Sequence, residues 1–131
     1  MNKVPPEKFE WEMFANWLRD NNYKFTHIAN EVGTGGFAGA MIARTKNKQW
    51  LSKGFPDYVI LSKNWLLVFI ELKRQRPVLK SWKLWKSPSV VSQEQLDWID
   101  ALNKFDCVRA TIAYWYEHAI SLLTQYEDSS K

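Results

Sequence analysis

The chain has 131 residues, 46% of them hydrophobic, with eight tryptophans and a formal net charge of +4, which suits one domain over residues 1–131 with a real core and leaves no room for a second. No apolar run reaches the length of a membrane span, the opening Met-Asn-Lys-Val-Pro-Pro has no signal-peptide core, and the single Cys107 excludes an internal disulfide and lacks partners for a zinc site. An intracellular, cytoplasmic protein is the expectation, and the positive charge permits a polyanionic partner.

Taken in chain order, Pro5-Pro6 introduces a helix that ends near Asp20-Asn21-Asn22. Trp11, Phe14 and Leu18 recur at helical spacing and form its buried stripe, with Trp17 beside them. Glu7 lies one turn before Trp11 and Glu10 one turn before Phe14, so either can reach inward from the edge of the stripe, while Glu12 faces solvent. All three acids also suit a helix N-terminus through its dipole. Tyr23 to Ile28 reads as a short strand that delivers His27 and Asn30 to its end. Gly33 to Gly39 is a loop without the Gly-Lys-Ser/Thr ending of a phosphate-binding P-loop, so nucleotide binding there is not expected. It suits a connection that approaches a nucleic-acid backbone. Ala38 to Leu51 reads as a helix, with Arg44, Lys46, Lys48 and then Lys53 either tracking phosphates or forming a solvated face.

The centre of the chain is Gly54-Phe55-Pro56-Asp57 and the hairpin that follows it. Tyr58 to Leu61 and Trp65 to Ile70 are apolar, β-branched and aromatic runs, and Ser62-Lys63-Asn64 between them suits a tight turn. Asp57 then stands at the mouth of the first strand. Glu71 and Lys73, two residues apart at the end of the second, point to one face. Burying two carboxylates and an ammonium is costly without a purpose. A divalent cation supplies one, because Asp57 and Glu71 are the hard oxygen ligands that Mg²⁺ prefers. Lys73 can then orient or help deprotonate an attacking water and offset charge on a phosphate. The plainer reading is a surface hairpin with an ordinary ion pair. The Pro-Asp entry, the strongly apolar strand and the shared face argue against it.

Arg74 to Val91 is the least patterned part, with Arg74, Arg76, Lys80, Lys83 and Lys86 interleaved with Trp82 and Trp85 and no acid. Basic and aromatic residues together suit a nucleic-acid surface. Trp82 and Trp85 equally suit packing under the loop or a dimer interface. Ser92-Gln93-Glu94-Gln95 is a capping box that opens a helix with Leu96, Trp98, Ile99 and Leu102 on its apolar face. Local physics gives Gln95 a bond back to the Ser92 backbone. Cys107 to Tyr114 reads as a strand and Glu117 to Tyr126 as a closing helix, on which His118 is structural or exposed. Glu127 to Lys131 is a polar tail.

The Pro-Asp, spacer and Glu-x-Lys pattern resembles the PD-(D/E)xK nuclease superfamily. With His27-Ile28-Ala29-Asn30-Glu31, Gly54 to Asp57, Ile70 to Arg74 and Ser92 to Trp98, the chain looks like the virus-type replication-repair nuclease (VRR-NUC) domain over nearly its whole length. The resemblance implies an α/β, restriction-endonuclease-like fold, a mixed central β-sheet flanked by α-helices. It implies a metal-dependent DNA endonuclease in which Mg²⁺ or Mn²⁺ is held by Asp57, Glu71 and the Leu72 carbonyl, and Lys73 serves the water. A first-helix glutamate joins them, Glu10 favoured and Glu7 a near-equal alternative. Gln95 lies near the metal, holding substrate or ordering a carboxylate, a role expected to compete with its capping bond for one rotamer. His27 and Asn30 bind phosphate or orient a carboxylate, Glu31 has no assigned role, and Lys53 and the basic residues from Arg74 to Lys86 contact DNA. Stand-alone domains of this kind resemble Holliday-junction resolvases, which implies a homodimer on branched DNA and suits a phage or mobile-element origin. The competing readings are a DNA-binding module without turnover and a small restriction-type or nicking endonuclease.

Overall fold

The computed structural model describes residues 5–28, 53–74 and 91–129. Asn30, the glycine loop, the helix read over Ala38 to Leu51, and Arg76, Lys80, Trp82, Lys83, Trp85 and Lys86 lie outside the described residues. Within them the order is α1 (Glu7–Asp20), β1 (Lys24–His27), β2 (Tyr58–Leu61), β3 (Leu67–Lys73), α2 (Gln93–Leu102), β4 (Val108–Tyr114) and α3 (Tyr116–Ser129). The strands form one sheet in the order β1-β2-β3-β4. β1, β2 and β3 pair antiparallel, and β3 pairs parallel with β4. This is the mixed sheet flanked by helices that the sequence implied.

β3 explains the two-sided architecture. Six of its seven residues are buried, because successive side chains enter opposite layers. Val68, Ile70 and Leu72 join Phe14, Leu18, Tyr58, Ile60, Ala119 and Leu123 in the layer under α1 and α3. Phe69 joins Val108 and Ala110, with Val59, Ile99 and Leu102 packed against them, in the layer under α2. Ile70 and Leu72 are fully buried, each contributing about 1.5–3 kcal/mol relative to exposure. The parallel β3–β4 pair needs a long crossover, and the segment carrying α2 supplies it.

One strand boundary differs from the sequence reading. Trp65 does not begin the second hairpin strand but stands in the turn with φ 70°. The Ser62 amide donates to the Leu66 carbonyl at 3.0 Å, and the Ser62 hydroxyl accepts from the Leu66 amide at 2.8 Å. These bonds close the turn past Trp65, so the strand starts at Leu67 and runs on through Glu71 and Lys73.

The helices begin at the same end of the sheet. Phe9 of α1 meets Tyr116 of α3 edge-on, ring centroids 6.2 Å apart. At the other end the Tyr23 hydroxyl after α1 bonds Glu127 near the close of α3. The two helices therefore run side by side in the same sense. The first turn of α2 lies against Gly54. A Cβ there would stand 2.7 Å from the Glu94 carbonyl carbon and 2.8 Å from the Gln95 nitrogen, and φ is +88°. Only glycine meets both conditions. No helix among the described residues is long and apolar enough to cross a membrane.

Candidate active site

Tyr58 pairs antiparallel with Ile70, so Asp57, just before one, stands across from Glu71, just after the other. Both carboxyls and Lys73 are buried, at 6%, 4% and 8% exposure. The Leu72 amide donates to Asp57 Oδ2 at 3.2 Å, which ties the mouth of β2 to the end of β3. Gln95 Nε2 donates to Glu71 Oε1 at 2.8 Å, and Lys73 Nζ lies 3.6 Å from the same oxygen. The other oxygen, Glu71 Oε2, is buried and has no hydrogen-bond partner.

Burial pushes the Asp57 carboxyl up to about 8. The charge of Glu71 and then that of Glu7 push the same way, against the Leu72 amide and Lys73. Glu71 rises to about 7, again chiefly through burial, with Lys73 opposing and Glu7 adding to the rise. Two acids that ionise only reluctantly at neutral pH, one with a bare buried oxygen, fit a divalent cation, whose charge would offset both the burial and the mutual repulsion. Among the described residues no group of three or more His, Cys, Asp or Glu side chains converges on a metal position.

The two candidate glutamates of α1 part company. Glu7 bears electrostatically on both Asp57 and Glu71. Glu10, at 2% exposure, accepts the backbone N–H of Tyr116 at the start of α3, and burial raises its pKa. Glu10 thereby ties α1 to α3 through one oxygen, while its other oxygen, Oε2, is buried without a hydrogen-bond partner.

Gln95 performs both roles that the sequence set against each other. Its Oε1 accepts from the Ser92 amide at 3.0 Å while its backbone amide donates to Ser92 Oγ at 3.2 Å, completing the capping box. The other end of the same side-chain amide is the donor to Glu71. One rotamer serves both because a primary amide has an acceptor at one end and donors at the other.

His27 pairs in register with Tyr58 and stacks on it with ring centroids 4.5 Å apart. It therefore faces the α1 layer, opposite Asp57 and Glu71. Burial lowers its pKa. Lys53 is exposed, 3.7 Å from Glu94 on α2, and Arg74 follows Lys73 half-buried. Sequence reading found the end of β4 at Tyr114 but not its place beside Lys73. Tyr114 is the register partner of Lys73, and the Trp115 amide donates to the Lys73 carbonyl at 2.9 Å. Trp115 has φ 97°. His118 Nδ1 accepts from the Tyr114 amide at 3.0 Å, a structural role. Only the strand order brings these residues beside Lys73, and nothing in the local sequence signals it.

No family model and no curated protein matches the chain. A solved structure described as a VRR_NUC domain protein is similar over 95% of this chain and 90% of that one, with TM-score 0.65 and 19% identity. That likeness establishes the fold, and it agrees with the resemblance carried by Asp57, Glu71 and Lys73.

Proposed function

We propose that the chain is a metal-dependent nuclease that hydrolyses phosphodiester bonds in DNA. The observation that carries this is Glu71: buried, bound to Gln95 and Lys73 through one oxygen, bare at the other, and facing a second buried carboxyl, Asp57, which burial holds well above the ordinary carboxylate range. Neither an ordinary ion pair nor a fold-stabilising cluster needs that second acid or the unused oxygen. Asp57, Glu71 and the Leu72 carbonyl would hold Mg²⁺ or Mn²⁺, which when bound supplies Lewis acidity toward a phosphate and acidity to bound water.

The protein's own groups do the rest. Gln95 holds the Glu71 carboxylate in one orientation, and the Leu72 amide does the same for Asp57. Lys73 places an ammonium where it can orient the attacking water and offset charge building on the phosphate. Glu7 adds a third negative charge, which deepens the demand for a cation. The starts of α1, α2 and α3 gather at this end of the sheet, and helix N-termini favour anions. The resemblance to VRR-NUC domains supports branched DNA as the substrate and a homodimer as the working form.

The test is cleavage of supercoiled plasmid and a synthetic four-way junction with Mg²⁺, Mn²⁺ or EDTA, wild type beside Asp57→Ala and Lys73→Ala. Metal-dependent cutting by the wild type alone is expected, with paired symmetric nicks on the junction. Tight DNA binding without cutting in any metal would instead identify a binding module.

A further inference from the structure

The carboxylate centre leaves a second feature unused on the opposite face of the sheet. α1 and β1 border an open groove of about 820 Å³ whose lining includes Lys8, Trp11, Arg19, Phe25, His27 and Tyr58. Its floor is a run of flat rings. His27 stacks on Tyr58 at 4.5 Å with 15° between the planes, Trp11 leans on His27 at 5.1 Å, and Phe25 approaches Tyr58 at 6.1 Å. Trp11 Nε1 and His27 Nε2 are both buried without a hydrogen-bond partner.

The rim is cationic at both ends. Arg19 lies eleven positions after Lys8, close to three helical turns, so the two project from one face of α1 about 16 Å apart along its axis. The Arg19 guanidinium already sits over an aromatic ring, its Cζ 5.7 Å from the Phe25 centroid. The acid on this rim, Glu12, is 3.9 Å from Lys8, and both side chains are largely exposed. Such a pair is weak and yields readily to a phosphate. One end of the groove lies at the same end of the sheet as the carboxylate centre, across the sheet from it. Lys8 follows Glu7, Tyr58 follows Asp57, and the Ile28 amide, just past His27, donates to the Asp57 carbonyl at 2.6 Å.

A ligand matched to this shape alternates flat rings with anions over a length of about three helical turns. Double-stranded DNA keeps its base faces stacked inside the duplex and cannot offer them to an aromatic floor. A single strand offers both, bases for the rings and phosphates for the rim. We infer that the groove takes an unpaired strand of the nucleic-acid substrate, with its phosphates at Lys8 and Arg19 and its bases against Trp11, Phe25 and His27. The inference rests on the nuclease reading for its substrate class, and it predicts that a junction, tail or nick with unpaired nucleotides is bound in preference to uniform duplex.

Fluorescence anisotropy in EDTA separates the two ideas. A blunt duplex and the same duplex with a single-stranded tail are titrated with wild type, with Lys8→Gln/Arg19→Gln, and with Trp11→Leu, whose folding is checked by melting. The wild type is expected to bind the tailed DNA about tenfold more tightly, and the rim variant to lose most of that advantage while blunt-duplex affinity changes less than about twofold. No tail advantage in the wild type, or equal weakening on both DNAs in the rim variant, overturns the groove. Trp11→Leu adds a readout that charge alone does not move, namely lost tail preference at unchanged salt dependence. A protein that cuts plasmid with Mn²⁺ but ignores the tail refutes the groove and leaves the nuclease. One that prefers the tail but never cuts refutes the nuclease and leaves the groove.

Discussion

Glu71 depends on a neighbour that also serves its own helix. Removing the Gln95 side chain breaks the bond to Glu71 and the bond to the Ser92 amide together. Gln95→Ala is therefore expected to lose about 1–2 kcal/mol of stability and about 10–100-fold of metal affinity or activity. Denaturant melts and cleavage rates check the two parts, and an activity loss without a stability loss would separate site from cap. Gly54 acts one step further out. Alanine there meets the Glu94–Gln95 backbone at under 3 Å and must hold φ +88°, so Gly54→Ala is expected to cost about 1–3 kcal/mol. It should also displace Gln95, lowering cleavage more than the stability change alone explains. Asp57, Glu71 and Lys73 were readable because a charged triplet at the ends of apolar strands is locally anomalous. The choice between Glu7 and Glu10 was not. Both precede an apolar residue by one turn, and that Glu10 also ties α1 to α3 follows only from the position of Tyr116, far away in sequence.

α2 brings Gln95 to the site yet has no fully buried residue. Ile99 and Leu102 pack only partly against the Phe69 layer, so the helix depends on its first turn: the capping box, the contact with Gly54 and the bond to Glu71. Ser92→Ala is expected to cost about 1 kcal/mol and to raise amide exchange across α2 while leaving β3 protected. Exchange that rises equally in β3 would mean that α2 has no opening of its own. The elements themselves were largely legible, since helical spacing in α1 and the Ser-Gln-Glu-Gln start of α2 are local signals. β3 was harder. Covered on both faces, it shows an unbroken apolar run without alternation, and that run drew Trp65 into the strand, whereas Trp65 is 93% exposed in the turn. The parallel pairing of β3 with β4 is a contact between distant segments, and no periodicity encodes it.

At the scale of the whole molecule, the buried acids make stability depend on pH in an unusual sense. Carboxyls ordinarily titrate near 3.9 and 4.3 when unfolded, whereas in the folded protein Asp57 rises to about 8 and Glu71 to about 7. Between those limits the native state holds more protons than the unfolded state, so the slope of unfolding free energy against pH is negative. The contribution is fully present below the unfolded values and is lost as pH rises through the folded ones. Glu10, also raised by burial, acts in the same sense. His27 and His118 act oppositely, because burial lowers both and their contribution grows as the unfolded imidazoles lose protons near 6.5. The clean window is therefore about pH 7.5 to 8.5, where the histidines are almost wholly neutral in both states. There the metal-free melting temperature is expected to fall with pH, and Asp57→Asn, which cannot ionise, is expected to fall less and to melt above wild type at the upper end. A cation competes with the same protons, so the rise in melting temperature from Mg²⁺ or Mn²⁺ should be larger at pH 8.5 than at pH 6.5. A wild type with a flat melting temperature across the window, or Asp57→Asn with an unchanged slope, would mean that the acids are ionised without help and that the fold itself already compensates their charge.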